Sequence, residues 1–133
     1  MTTNAYAAAY TTVTTSTADP ITLTTMLYDG AVKAMKKARL HFEGGNRERF
    51  LDEVGRAHLI VGELLATLDR EQGGELAENM AAVYGYCIRC LVESTTGEVE
   101  KLAEAELHIS RIGDAWKIAT AQLAAAGPRR AVA

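Results

Sequence analysis

The chain has 133 residues, 48% of them hydrophobic and 23% charged, with a formal net charge of −3. That length supports one domain with a single core and no staples, and an acidic balance excludes the concentrated basic surface that phosphate-backbone binding needs. No apolar run approaches the roughly 20 residues of a membrane span, no secretory signal opens the chain, and two cysteines suit a reducing compartment, so the expected location is cytoplasmic with no membrane insertion.

Residues 1–18 are uncharged and rich in Thr and Ala, with Tyr6 and Tyr10 set among them. They fall outside the pattern that follows and are expected to form a mobile N-terminal arm. The two prolines, Pro20 and Pro128, flank a long proline-free stretch rich in Ala, Leu, Glu, Lys and Arg. Proline costs about 3 kcal/mol inside a helix, so its absence is what a helical domain shows. Glycines and threonines at Gly44-Gly45, Gly73-Gly74 and Thr95-Thr96-Gly97 divide the stretch into four segments.

The first segment opens on Asp19-Pro20, a capping aspartate followed by proline at the first helical position. Leu23, Leu27, Ala31, Ala34, Met35, Ala38 and Phe42 then recur at three- and four-residue steps. Its basic run, Lys33, Lys36, Lys37 and Arg39, is expected to be a solvated face. The second segment begins near the capping Asn46 and carries Phe50, Val54, Ala57, Val61, Leu64, Leu65 and Leu68. The third follows the Gly73-Gly74 pair, with Leu76, Met80, Val83, Tyr84, Cys87, Ile88 and Leu91. The fourth is expected to open with a capping box formed by Thr95 and Glu98, and continues through Val99, Leu102, Ile109, Ile112, Trp116, Ala119 and Leu123. Short links between helices of similar length predict an all-α, antiparallel up-down four-helix bundle over residues 19–126, with a flexible tail at 127–133.

Gly30, Gly55, Gly62, Gly85 and Gly113 lie inside these helices, where each costs about 0.5–1 kcal/mol relative to Ala. Two roles offset that cost: close helix–helix approach, or shallow surface pockets that admit a partner's side chain.

Enzymatic chemistry finds no support. Cys87-Ile88-Arg89-Cys90 sits in mid-helix among apolar residues, whereas a redox pair works at a helix N-terminus that lowers a thiol pKa. A buried thiol pair is the expectation. His41, His58 and His108 fall on three helices without paired spacing for zinc. Glu98, Glu100, Glu104 and Glu106 read as a solvated helix face. A phosphate loop and a nucleophile elbow are both missing, so no enzyme activity, cofactor or metal is expected. Tyrosines are more informative, because they suit surfaces that are apolar to a partner yet tolerate water. Tyr84 and Tyr86 are two apart and cannot share one helix face, so one of them looks outward.

Four ordered motifs resemble the flagellar export chaperone FliS family: Met26-Leu27-Tyr28-Asp29-Gly30-Ala31, the junction from Leu68-Asp69 to Gly73-Gly74-Glu75-Leu76, Tyr84 and Tyr86 followed by Ile88-Arg89, and Asp114-Ala115-Trp116-Lys117. The resemblance runs from about Tyr6 to Ile118; shortly after Leu23, where the family tends to carry an aliphatic residue, this chain has Thr24, followed by Thr25. It implies an antiparallel helical bundle without cofactor that binds the disordered C-terminal segment of flagellin in the cytoplasm, stops it polymerising and assists flagellar type III export. Other flagellar export or regulatory proteins are further implied partners. The family's N-terminal arm carries residues that fold back over the binding groove, and Tyr6 and Tyr10 match those positions. Monomer and weak homodimer both remain open.

A chaperone of this kind works by helix-in-groove recognition, with apolar anchors of a disordered client entering pockets between adjacent helices. The candidate partner-binding residues are Tyr28, Gly55, Tyr84 and Tyr86, with Tyr6 and Tyr10 as a removable cover. Two rivals stand beside this reading. One is a helical adaptor or regulator for another flagellar or secreted protein; the other is a small thiol enzyme using Cys87 and Cys90.

Overall fold

The computed structural model describes the backbone of residues 19–132 and the side chains of residues 19–126. The expected arm at 1–18, with Tyr6 and Tyr10, lies outside the described residues, and the expected tail at 127–133 lies outside the described side chains. Four helices follow in order: α1 (Pro20–Glu43), α2 (Arg47–Ala66), α3 (Arg70–Ser94) and α4 (Glu100–Val132).

Local chemistry sets the helix starts. The Asp19 carboxylate accepts the Ile21 backbone N–H at 3.1 Å and the Thr22 hydroxyl at 2.5 Å, and Pro20 opens α1. Those bonds, the Thr22 hydroxyl foremost, hold the Asp19 pKa below its ordinary value. The Asn46 side chain accepts from the Arg49 N–H at 3.1 Å and starts α2.

Two boundaries differ from the sequence expectation. Asp69 accepts the Gln72 N–H at 3.0 Å, so α3 begins ahead of the glycine pair instead of after it. The chain then kinks at Gly74, whose φ of 55° and ψ of −132° only glycine adopts at low cost. At the other junction Thr95 closes α3 and does not open α4. Its hydroxyl donates to the Val92 carbonyl at 2.6 Å, and the Thr96 hydroxyl donates to the Glu93 carbonyl at 3.1 Å. The orphan carbonyls of a helix C-terminus compete for the same hydroxyl that a capping box would use, and here they win.

Each helix packs on the next, and α4 closes back on α1. Links of a few residues between such helices make neighbours antiparallel, which gives the up-down bundle. Met35, Phe50, Ile60, Val61, Leu64, Leu91, Leu102 and Ile109 fill the core; burying each such side chain stabilises the fold by about 1.5–3 kcal/mol. Ala31, Ala34 and Ala38 keep the inward face of α1 low, and Ala57 does the same on α2, so the two backbones approach closely.

Charges tie α1 to α4 at two levels. Arg39 pairs with Glu106, and the Lys117 ammonium lies 2.6 Å from the Asp29 carboxylate. The expected solvated faces therefore hold only in part. Lys33, Lys36 and Lys37 are exposed, but Arg39 is engaged. Glu98 and Glu100 are exposed, whereas Glu106 is 14% exposed and reaches α1, and Glu104 reaches α3.

Candidate functional site

An apolar hollow of about 350 Å³ opens at the end of the bundle where α1 and α3 begin and α2 ends. Leu23 and Leu27 of α1, Leu64 and Leu68 at the end of α2, and Met80 of α3 form its walls. Tyr28, Tyr84 and Trp116 bring one aromatic each from α1, α3 and α4. Tyr28 and Tyr84 are buried, and their hydroxyls share a hydrogen bond of 2.5 Å. Burial pushes both phenols above their ordinary pKa, and for Tyr84 the bond to Tyr28 adds to the rise.

Trp116 packs on Tyr28 with ring centroids 6.2 Å apart. Its indole N–H donates to the Thr25 hydroxyl at 2.9 Å, and that hydroxyl donates to the Ile21 carbonyl at 3.0 Å. An aliphatic residue at position 25 would leave the indole N–H without this partner. Gly113, one helical turn from Trp116, allows the contact between α4 and Tyr28: a Cβ there would lie 3.1 Å from the Tyr28 Cβ. This is the close approach expected of one buried glycine.

Gly55 faces open space instead. A Cβ built on Gly55 or on Gly62 meets nothing within 4 Å. Leu51 and Leu59, one turn to either side of Gly55, are exposed. The outer face of α2 thus carries two apolar side chains around a notch that a partner's side chain can enter.

Tyr86 stands apart from both surfaces. It is half-buried on the seam between α3 and α4, where its hydroxyl donates to Glu104 at 2.6 Å. The ring meets His108 edge-on at 5.8 Å, and the Arg89 guanidinium lies 5.6 Å from its centroid. The hydrogen bond raises the Tyr86 pKa and lowers that of Glu104. So Tyr84 points inward and Tyr86 outward toward α4, as a two-residue offset requires. Of the four described candidates the structure brings together Tyr28 and Tyr84; Gly55 and Tyr86 lie on separate faces. Sequence reading did not single out Trp116, Leu64, Leu68 or Met80 as site residues. The available signals were that Trp116 is the only tryptophan and that Trp116 and Leu68 lie in two of the FliS-like stretches.

Cys87 and Cys90 are both free and fully buried. Burial pushes the Cys87 thiol up to about 12 and raises Cys90 as well, so neither is a thiolate near neutral pH. Among the described residues no group of three or more His, Cys, Asp or Glu is placed to hold a metal ion. No helix among them is long and apolar enough to cross a membrane.

The family profile described as "Flagellar protein FliS" matches residues 2–123. The chain belongs to the FliS family. It is 37% identical to the flagellar secretion chaperone FliS of Salmonella typhimurium over 102 residues, covering 75% of this chain and 76% of that one. It is also 37% identical to the flagellar secretion chaperone FliS of Bacillus subtilis over 110 residues, covering 82% and 81%. The protein of that name from Escherichia coli is 33% identical over 97 residues, covering 71% of each chain. The four stretches that resemble the FliS family converge in space. Leu27 and Tyr28, Leu68 and Asp69, Tyr84, and Trp116 each come from a different one of them, and all line the same hollow.

Proposed function

We propose that this chain is a cytoplasmic, non-enzymatic chaperone that holds the disordered C-terminal segment of flagellin, prevents its premature polymerisation and assists flagellar type III export. The observation that carries this reading is the convergence of the four FliS-like stretches on one apolar, aromatic-floored hollow. A filament subunit polymerises through apolar helical faces, and a surface that occupies those faces first keeps the subunit soluble. The hollow supplies an anchor site at one end of the bundle, and the notched face of α2 supplies a second surface for a segment that wraps the bundle. Buried thiols held in the protonated form support a role without covalent chemistry.

The test is calorimetric titration of the purified chain with the C-terminal segment of flagellin from the same organism. Coupled folding of a disordered client buries roughly 1,000–3,000 Å² and carries a large negative heat-capacity change. A one-to-one complex with that signature is expected, and Leu68→Ser together with Met80→Ser should weaken it. No heat at several temperatures, with no co-elution, would overturn the flagellin reading and turn the search toward an adaptor for another flagellar or secreted protein.

A further inference from the structure

A second concavity lies along the seam of α1 and α4, on the other side of Tyr28 from the apolar hollow. It is a groove of about 560 Å³. Its floor is apolar: Ile109 is fully buried, Val32 is packed against the core, and Gly113 contributes no side chain. Asp29, Lys33, Lys36, Lys37 and Leu40 line one wall at steps that keep them on one face of α1. From Asp29 to Leu40 the wall runs about 16 Å at the helical rise, or some three turns.

Charge is distributed unevenly along this groove. The Lys117–Asp29 ion pair closes one end, where Asp114 also stands. Lys33, Lys36 and Lys37 occupy the rest of the wall, and among the described residues none of the three has a carboxylate within ion-pair distance. Beside them Leu40 is 63% exposed. A chain of net charge −3 therefore carries one concave site with three unneutralised cations and a bare apolar side chain.

We infer that the α1–α4 groove docks an acidic amphipathic helix of another protein, about three turns long, whose carboxylates meet Lys33, Lys36 and Lys37 and whose apolar face lies on Val32 and Leu40. Charge complementarity selects this occupant. Residues 1–18 carry no charged side chain, and residues 127–133 carry two arginines and no acidic side chain, so neither stretch supplies a row of carboxylates. A continuous phosphate backbone suits the groove poorly, because Asp29 and Asp114 stand at one end and the floor is apolar. A flat bilayer does not enter a concave seam between two helices. The inference stands independently of flagellin binding, since none of its lysines lines the apolar hollow.

The test uses the full chain and a fluorescein-labelled helical peptide of about three turns with three Glu and two Leu on one face, followed by anisotropy at two salt concentrations. A control peptide carries Gln in place of each Glu. The expected result is binding of the Glu peptide that weakens with salt, with the Gln peptide at least roughly tenfold weaker. The charge reversal Lys36→Glu/Lys37→Glu should lose a similar factor while still binding flagellin as the unmodified chain does. Lys33→Gln provides a milder variant should the reversal alter the circular dichroism spectrum, and Leu40→Ser should weaken the peptide without changing the salt slope. Equal binding of both peptides would overturn the inference, as would an unchanged affinity in the lysine variants. So would displacement of the peptide by single-stranded DNA or phosphatidylserine vesicles at equal charge, or by self-association of the chain alone.

Discussion

The shared hydrogen bond between Tyr28 and Tyr84 joins side chains from opposite corners of the bundle, and its worth lies in what remains when half of it is removed. Each phenol is buried, so Tyr28→Phe or Tyr84→Phe leaves the other hydroxyl without a partner, at a cost of about 1–3 kcal/mol. The double replacement leaves no orphan and should come close to the unmodified chain, giving a strongly non-additive cycle in urea denaturation. Additive losses would mean that water reaches the freed hydroxyl. Titration gives a second residue-scale expectation. Burial raises the pKa of Cys87, Cys90, Tyr28 and Tyr84, and ion pairing with Glu104 and Asp29 raises Lys101 and Lys117. A group whose folded pKa is raised contributes stability that is complete below its unfolded value and is lost as pH rises. The denaturation midpoint is therefore expected to hold up to pH 9.0, the ordinary thiol value, and to fall from there toward the Cys87 value of about 12. Over the neutral range a thiol reagent should label neither cysteine until the chain unfolds. Rapid labelling of native protein would contradict the burial of both.

Four glycines inside helices behave in three different ways, and the element they sit in decides which. At Gly55 and Gly62 the outward face of α2 is open, so Ala at either position should raise stability by about 0.5–1 kcal/mol through helix propensity alone. The same change fills the notch and should weaken flagellin binding. Opposite signs in thermal melting and in titration would separate partner recognition from folding; unchanged binding in both variants would remove the α2 face from the contact surface. Gly74 holds a backbone conformation closed to other residues, and Gly74→Ala should cost about 1–3 kcal/mol. At Gly113 the incoming Cβ meets Tyr28, which cannot give way because Tyr84 and Trp116 hold it. Overpacking of that kind costs about 1–3 kcal/mol, and it should show in melting and in the near-ultraviolet signal of the aromatic cluster together.

The whole molecule carries three open surfaces at different places: the end hollow, the notched α2 face and the basic groove. The two ion pairs between α1 and α4 hold the groove walls together at both of its levels. An open apolar hollow is an association liability in a free chain, and Pro20, where the N-terminal segment meets the bundle, lies on its rim. We propose that residues 1–18 cover the hollow through Tyr6 and Tyr10 until a client displaces them. A cover closed about 90% of the time lowers apparent affinity roughly tenfold. Deleting residues 1–18 should therefore tighten flagellin binding by no more than that factor and increase self-association of the free chain. If titration and sedimentation both read the same with and without the segment, the cover has no role.

The sequence by itself determined the number of helices, two of their four starts and most of their inward faces. The signals for these act within one or two turns: Asp19 before Pro20, Asn46 before α2, the three- and four-residue spacing of Leu, Ala and Val. It also separated Tyr84 from Tyr86, because an offset of two residues turns the side chain by more than half a circle around the axis. Family motifs were legible as strings, but their meeting at one hollow was not. Only the tertiary structure decided that Trp116 reaches Thr25, that Glu104 and Glu106 leave a nominally solvated face for Tyr86 and Arg39, and that Gly55 faces open space while Gly113 faces Tyr28. Each of those outcomes depends on how far one helix is rotated against its neighbour. That rotation is set by the fit of the whole core, and no local stretch of sequence encodes it.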